Sequence, residues 1–197
     1  MQNKSLTPSK FQPLQLPQSP VSLSPNKNLT GSARVIRDLV ADIYNNIQNW
    51  NNYHIKGSQA IKRIVLLKSE NINEYSNELE DAINDLYGIT KHLNTCKEKL
   101  EIYKEQILAL SKTEKRLDPV FISLTVEDMV TLIETVVASY SEESKVKNMV
   151  LEHTAHVRNT DEAMFFAASW TLQPFITNDI NLKMETLLVE TGHRKFI

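Results

Sequence analysis

Apolar residues recur at helical spacing from residue 32 almost to the end of the chain, and the longest regular run lies between Tyr75 and Leu110. With Leu79, Leu86, Leu93, Leu100 and Ile107 at heptad position a, position d falls on Tyr75, Ala82, Ile89, Cys96, Tyr103 and Leu110. No charged residue interrupts that seam, and the remaining positions are mostly Glu, Asp, Lys, Asn and Thr. This is a coiled-coil pattern. At 1.5 Å rise per residue the helix would run roughly 54 Å. Each buried seam aliphatic contributes about 1.5–3 kcal/mol of transfer free energy before chain entropy is charged against it. The stripe therefore has to meet a partner surface.

Residues 32–67 carry a second seam, with Val40, Ile47, His54 and Ile61 at a and Ile36, Ile43, Trp50, Gly57 and Ile64 at d. The connection Lys68–Asn73 is short, which favours an antiparallel hairpin. Folding about its midpoint sets Ile36 against Ile107, Ile43 against Leu100, Trp50 against Leu93, Gly57 against Leu86 and Ile64 against Leu79. Each d of the first helix meets an a of the second, so the seams agree in register. Gly57 costs roughly 1 kcal/mol inside a helix. Either it makes room for a large neighbour or it marks a bend.

Beyond the hairpin, Ser111–Ser123 reads as a linker closed by Asp118-Pro119, since proline stops a continuing helix. Thr125 with Asp128 predicts a capping box and Leu124 with Met129 a hydrophobic staple. The stripe Val126, Met129, Val130, Ile133, Val136, Val137 and Tyr140 then predicts a helix to about Val157, weakened at Ser141–Ser144 and bent near 142. Thr160-Asp161 predicts another cap, ahead of a short helix through Leu172 that Pro174 ends. A last helix from about Asn178 to Thr191 has Gly192 as its C-terminal cap. These short helices are expected to pack on the third helix or the hairpin base.

The fold class is therefore all-α: a long antiparallel helical hairpin (a coiled coil), a C-terminal set of helices, and a disordered N-terminal tail. The boundaries are 1–30 for the Pro/Ser-rich tail, 31–112 for the hairpin, 113–123 for the linker and 124–197 for the C-terminal helical region.

Charge and composition narrow the function. A net charge of −2 lacks the basic footprint of a nucleic-acid binder. The single cysteine rules out an internal disulfide and fits a reducing compartment. No apolar run is long enough for a membrane span, and the first residues lack a secretory h-region. Nucleus and cytoplasm are the expected locations, so the sequons at Asn3 and Asn28 are expected to stay unused. The tail holds five of the seven prolines, three lysines and no acidic residue, too little apolar surface to offset chain entropy. Within it, Thr7-Pro8-Ser9-Lys10 and Ser24-Pro25-Asn26-Lys27 match the hydroxyl-Pro-x-basic pattern of cyclin-dependent kinase sites, making Thr7 and Ser24 candidate phosphorylation sites.

Little in the chain suits chemistry. The four glycines are scattered, so no phosphate-cradling loop forms and ATP hydrolysis is not expected. His153 and His156 beside Glu152 would make at most half a metal site, and histidines near a helix C-terminus more often suit the dipole. Cys96 reads as a small core residue. No catalytic residue, cofactor or metal is expected.

The C-terminal region carries a resemblance. Trp170-Thr171-Leu172-Gln173-Pro174-Phe175, then an acidic turn, then Glu185 through Glu190-Thr191-Gly192-His193-Arg194 resemble the ending of the cyclin-dependent kinase 2-interacting proteins. Weaker similarity covers Ser32–Leu67, including Trp50 and Gly57, and Thr7-Pro8. The resemblance implies a small non-enzymatic adaptor. Its implied partners are cyclin-dependent kinase–cyclin complexes, replication and checkpoint proteins, and a hexameric AAA ATPase assembly. The implied processes are DNA replication, the DNA damage response and repair, cell division and large ribosomal subunit maturation. Candidate docking residues are Trp170, Gln173, Pro174, Phe175, Glu190, Thr191, Gly192, His193 and Arg194, acting as a docking element or as its support. The other reading is a structural coiled-coil protein that homodimerises through Tyr75–Leu110.

Overall fold

The computed structural model describes residues 31–70, 75–113 and 118–195. Among them lie five helices: α1 (Ser32–Glu70), α2 (Asn77–Thr113), α3 (Val126–Thr154), α4 (Thr160–Leu172) and α5 (Asn178–Glu190). The tail with Thr7 and Ser24 falls outside the described residues.

The hairpin forms in the expected register. The Asn46 side-chain amide donates to the Cys96 carbonyl at 2.7 Å, and Tyr53 stacks on His92 at 4.6 Å. These two contacts bracket the pairing of Trp50 with Leu93. Ile36, Ile43, Trp50, Ile61 and Ile64 are buried on α1, as are Leu79, Leu86, Leu93, Leu100 and Ile107 on α2. The other half of the α2 seam departs from the heptad. Tyr75 precedes the helix and is exposed, Ile89, Tyr103 and Leu110 are only partly buried, and Thr90 is buried in place of Ile89. The cause is a third helix, because a surface shared between two neighbours follows 3.6-residue periodicity and not a two-stranded seam. Thr90 tolerates burial because its hydroxyl donates to the Leu86 carbonyl at 2.8 Å.

That third helix is α3, which runs antiparallel to α2. Asn94 faces Ser144 and Asn148, at 2.6 and 3.0 Å, and Glu101 accepts from Ser141 at 3.4 Å. The fourth position of the bundle is filled by α4 and α5 in succession. Trp170 meets His54, Gln173 meets Trp50 and His193 meets Arg37, so this broken element runs antiparallel to α1. One hydrophobic core joins all five helices. The α2 seam is thus covered within a single chain, and a dimer through Tyr75–Leu110 would have to use other side chains.

Several local expectations shift. The capping box at Thr125 and Asp128 is present. α3 ends at Thr154, short of Val157, which is buried in the following turn. Asn159 caps α4, its side chain accepting from Glu162 N–H at 2.8 Å, so Thr160 is the first helical residue and not the cap. α3 runs unbroken through 141–144, where the inward stripe is continued by the buried polar residues Glu143 and Ser144. Gly192, at φ 74°, closes α5 in a Schellman motif, with His193 N–H to Leu188 O at 2.8 Å and Gly192 N–H to Val189 O at 3.0 Å.

Candidate functional site

The break between α4 and α5 is where the sequence placed its aromatic Gln-Pro run, and it is built around a buried ion pair. Glu143 and Lys147 stand one turn apart on α3, both fully buried, with carboxylate and ammonium 2.9 Å apart. An isolated buried charge is costly, so the pair needs further partners. Lys147 finds one in the Trp170 carbonyl, one of the four that an α-helix leaves open at its C-terminus. Its ammonium also lies 4.7 Å from the Trp170 ring centre. Burial pulls the Lys147 ammonium down from the usual lysine range, while Glu143 opposes that shift. The second carboxylate oxygen of Glu143 accepts the Phe175 N–H at 3.1 Å.

Trp170 is fully buried, and its indole N–H donates to the His54 carbonyl at 3.2 Å. Its ring lies against Gly57, where an added Cβ would come within 2.1 Å of it. Gly57 therefore makes room for a large side chain. Three residues on, Gln173 takes a left-handed conformation at φ 46°, and its side-chain oxygen accepts from the Trp50 indole at 3.0 Å. Trp50 in turn packs edge-on against Tyr140 at 5.2 Å. Burial, with Glu143 adding to it, pushes the Tyr140 phenol well above its usual range. Desolvation first and Lys147 second hold His54 down at about pKa 4, so its ring is neutral at pH 7.

The second half of the candidate segment fastens the other end of α5. The Glu190 carboxylate accepts from the N–H groups of Ile122, Ser123 and Leu124 at 3.0–3.3 Å and from the Ser123 hydroxyl. Burial pushes this carboxyl upward, but those hydrogen bonds together outweigh it and hold Glu190 below the usual range. Thr191 donates to the Leu187 carbonyl at 2.8 Å. His193 Nε2 lies 2.9 Å from the Arg37 carbonyl. Arg194 pairs with Glu185 at 3.1 Å and donates to the Tyr44 hydroxyl at 3.0 Å.

The nine candidate docking residues thus divide. Trp170, Glu190 and Thr191 are buried, and Gln173 is half-buried on Trp50, so these four hold α4 and α5 to the bundle. Pro174, Phe175, Gly192, His193 and Arg194 present surface. Sequence reading passed over Glu143 and Lys147. The available signal was their place in the inward stripe Val136, Tyr140, Glu143, Lys147, Val150, where a Glu–Lys pair one turn apart replaces two apolar residues.

Among the described residues no group of three or more His, Cys, Asp or Glu side chains is placed to hold a metal ion. His153 bonds its own helix at the Met149 carbonyl, 2.8 Å away, while His156 lies beyond the end of α3. The Cys96 thiol is buried and pushed upward by desolvation. A cleft beside the cluster, between Tyr44, Asn51, Tyr140 and Glu185, holds about 140 Å³. Small-molecule sites start at roughly 300 Å³.

No protein-family model matches the chain. Comparison with individual proteins does find relatives. The chain is similar to the cyclin-dependent kinase 2-interacting proteins. It is 26% identical to the human protein over 196 residues, covering 84% of this chain and 92% of that protein. Identity to the Xenopus laevis protein is 26% over 202 residues, covering 90% and 98%. The bovine protein is 26% identical over 195 residues. The likeness extends through most of the bundle, beyond the C-terminal motifs. These relatives are named for interacting with a kinase, and no helix among the described residues is long and apolar enough to cross a membrane.

Proposed function

We propose that this chain is a non-enzymatic adaptor of the cyclin-dependent kinase 2-interacting protein family. In this reading it works in the nucleus and cytoplasm and links cell-cycle kinase and replication-checkpoint machinery with a hexameric AAA ATPase assembly. Its role lies in DNA replication, genome stability and large ribosomal subunit maturation. The observation that carries the reading is the likeness to the human and frog proteins over 84–90% of this chain. The built site supports it as well, since Glu143 with Lys147 and Trp50 with Gln173 bond each other and fasten the segment between α4 and α5 to the bundle. Pro174, Phe175, Gly192, His193 and Arg194 are the surface part of the C-terminal segment, and the buried residues around them act as its support.

The test is affinity purification of the full chain from dividing cells with mass spectrometry, beside a variant carrying His193→Ala and Arg194→Ala. Recovery of a cyclin-dependent kinase or AAA ATPase subunits by the wild type is the expected result. The variant loses the Arg37, Glu185 and Tyr44 contacts, so its melting temperature is measured in parallel. Lost recovery at unchanged melting temperature assigns the pair to docking. A wild type that recovers neither partner class overturns the adaptor reading.

A further inference from the structure

α4 and α5 are held to the bundle differently from the way α1 holds α2. Along the hairpin seam Ile36, Ile43, Ile64, Leu79, Leu100 and Ile107 are buried, so parting α1 from α2 exposes aliphatic side chains to water. Phe166, Trp170, Ile180, Met184, Leu187 and Leu188 likewise keep the arm made of α4 and α5 closed. Against the arm, however, lie groups that regain hydration when it lifts. Glu143 and Lys147 are fully buried and take their outer partners from it, the Phe175 N–H and the Trp170 carbonyl. Both stand on α3, so lifting the arm returns them to water still one turn apart, with Glu before Lys, the favoured order on an exposed helix. Neither charge is stranded, and a stranded charge is what makes breaking a buried pair expensive. His54, whose carbonyl takes the Trp170 indole N–H, has a buried Nδ1 with no hydrogen-bond partner among the described residues. Glu190 and the N–H groups of Ile122, Ser123 and Leu124 would exchange one another for water.

The arm also carries strain at its elbow. Gln173 holds φ 46° and ψ 67°, a left-handed conformation that is costly for a residue other than glycine. Its side chain is fixed there by the Trp50 indole on α1. The other three helices are bonded to one another without the arm, through Asn46 on the Cys96 carbonyl and Asn94 with Ser144 and Asn148.

We infer that α4 and α5 open together, as one arm hinged at 155–159, from a remainder of α1, α2 and α3 that stays folded. The closed form dominates, because the arm's apolar anchors are buried in it. Opening uncovers the face of α1 and α3 around Trp50 and Tyr140, and the surface residues Pro174, Phe175, His193 and Arg194 move with the arm. A partner that binds one arrangement better than the other sets the balance between them. Such opening depends on packing and not on the adaptor reading.

The test is native-state hydrogen exchange of the full chain, followed amide by amide by NMR. In the wild type the slowest amides of α4 and α5 share one opening constant, larger than that of the slowest amides of α1 and α2. Leu79→Ala weakens the seam equally in the closed and arm-open forms. It therefore speeds exchange in α1 and α2 about tenfold or more and leaves α4 and α5 unchanged. Ile107→Val is the milder seam variant should Leu79→Ala unfold the chain. Glu190→Ala loosens the arm and speeds exchange in α4 as well as in α5, since one opening serves both. Acceleration of α4 and α5 by the seam variant, to the same factor as α1 and α2, overturns the inference in favour of a single cooperative unit. Acceleration of α5 alone by Glu190→Ala overturns it in favour of fraying of one helix.

Discussion

Two glycines sit inside long helices of this protein, and replacing each by alanine should act in opposite directions. Intrinsic propensity favours alanine by about 1 kcal/mol at an interior helix position. Gly88 on α2 has nothing within 4 Å of an added Cβ, so Gly88→Ala should realise that gain. At Gly57 the added Cβ would lie 2.1, 2.6 and 2.9 Å from three atoms of the Trp170 ring. The ring cannot yield easily, because its N–H is held by the His54 carbonyl and Lys147 lies over its face. Overpacking of this kind costs about 1–3 kcal/mol and occasionally more, enough to cancel the propensity gain and exceed it. In a domain of this size each kcal/mol moves the melting temperature by about 2–4 °C. Thermal and urea unfolding should therefore rank Gly88→Ala above wild type and Gly57→Ala below it. Adding Trp170→Leu to Gly57→Ala should make the two substitutions less than additive, since the smaller side chain leaves space for the methyl. A Gly57→Ala protein as stabilised as Gly88→Ala would refute the packing argument.

Two further outcomes follow from the buried polar cluster. His54 has its folded-state pKa lowered to about 4 from 6.5, so below pH 6.5 the unfolded chain takes up a proton that the folded chain refuses. Stability should fall by about 1–2 kcal/mol between pH 6.5 and 4, solvent access to part of the ring limiting the effect, and His54→Gln should flatten urea-unfolding profiles across that window. Removing one member of the Glu143–Lys147 pair leaves the other charge buried alone. Lys147→Met should cost about 3–5 kcal/mol, and the double variant with Glu143→Leu less than the sum of the two singles. Strict additivity in the unfolding free energies would mean that the two charges do not stabilise each other.

How the chain folds was legible wherever a local rule sufficed. The helices, the hairpin register around Trp50 and Leu93, the capping box at Thr125 and the left-handed Gly192 all follow from side-chain periodicity or backbone preference within a few residues. Tertiary structure decided what depends on a neighbour distant in sequence. Gly57 is glycine because of Trp170, more than a hundred residues away, and Thr90 is buried because α3 rotates the covered face of α2. Glu143 and Lys147 look like a solvated pair until the open carbonyl of α4 and the N–H of Phe175 reach them. The candidate segment was legible as a motif, yet its division into buried supports and surface residues was not. Whether Trp170 or Glu190 fills a core or faces a partner is settled by what packs against it, and periodicity along one helix does not contain that information.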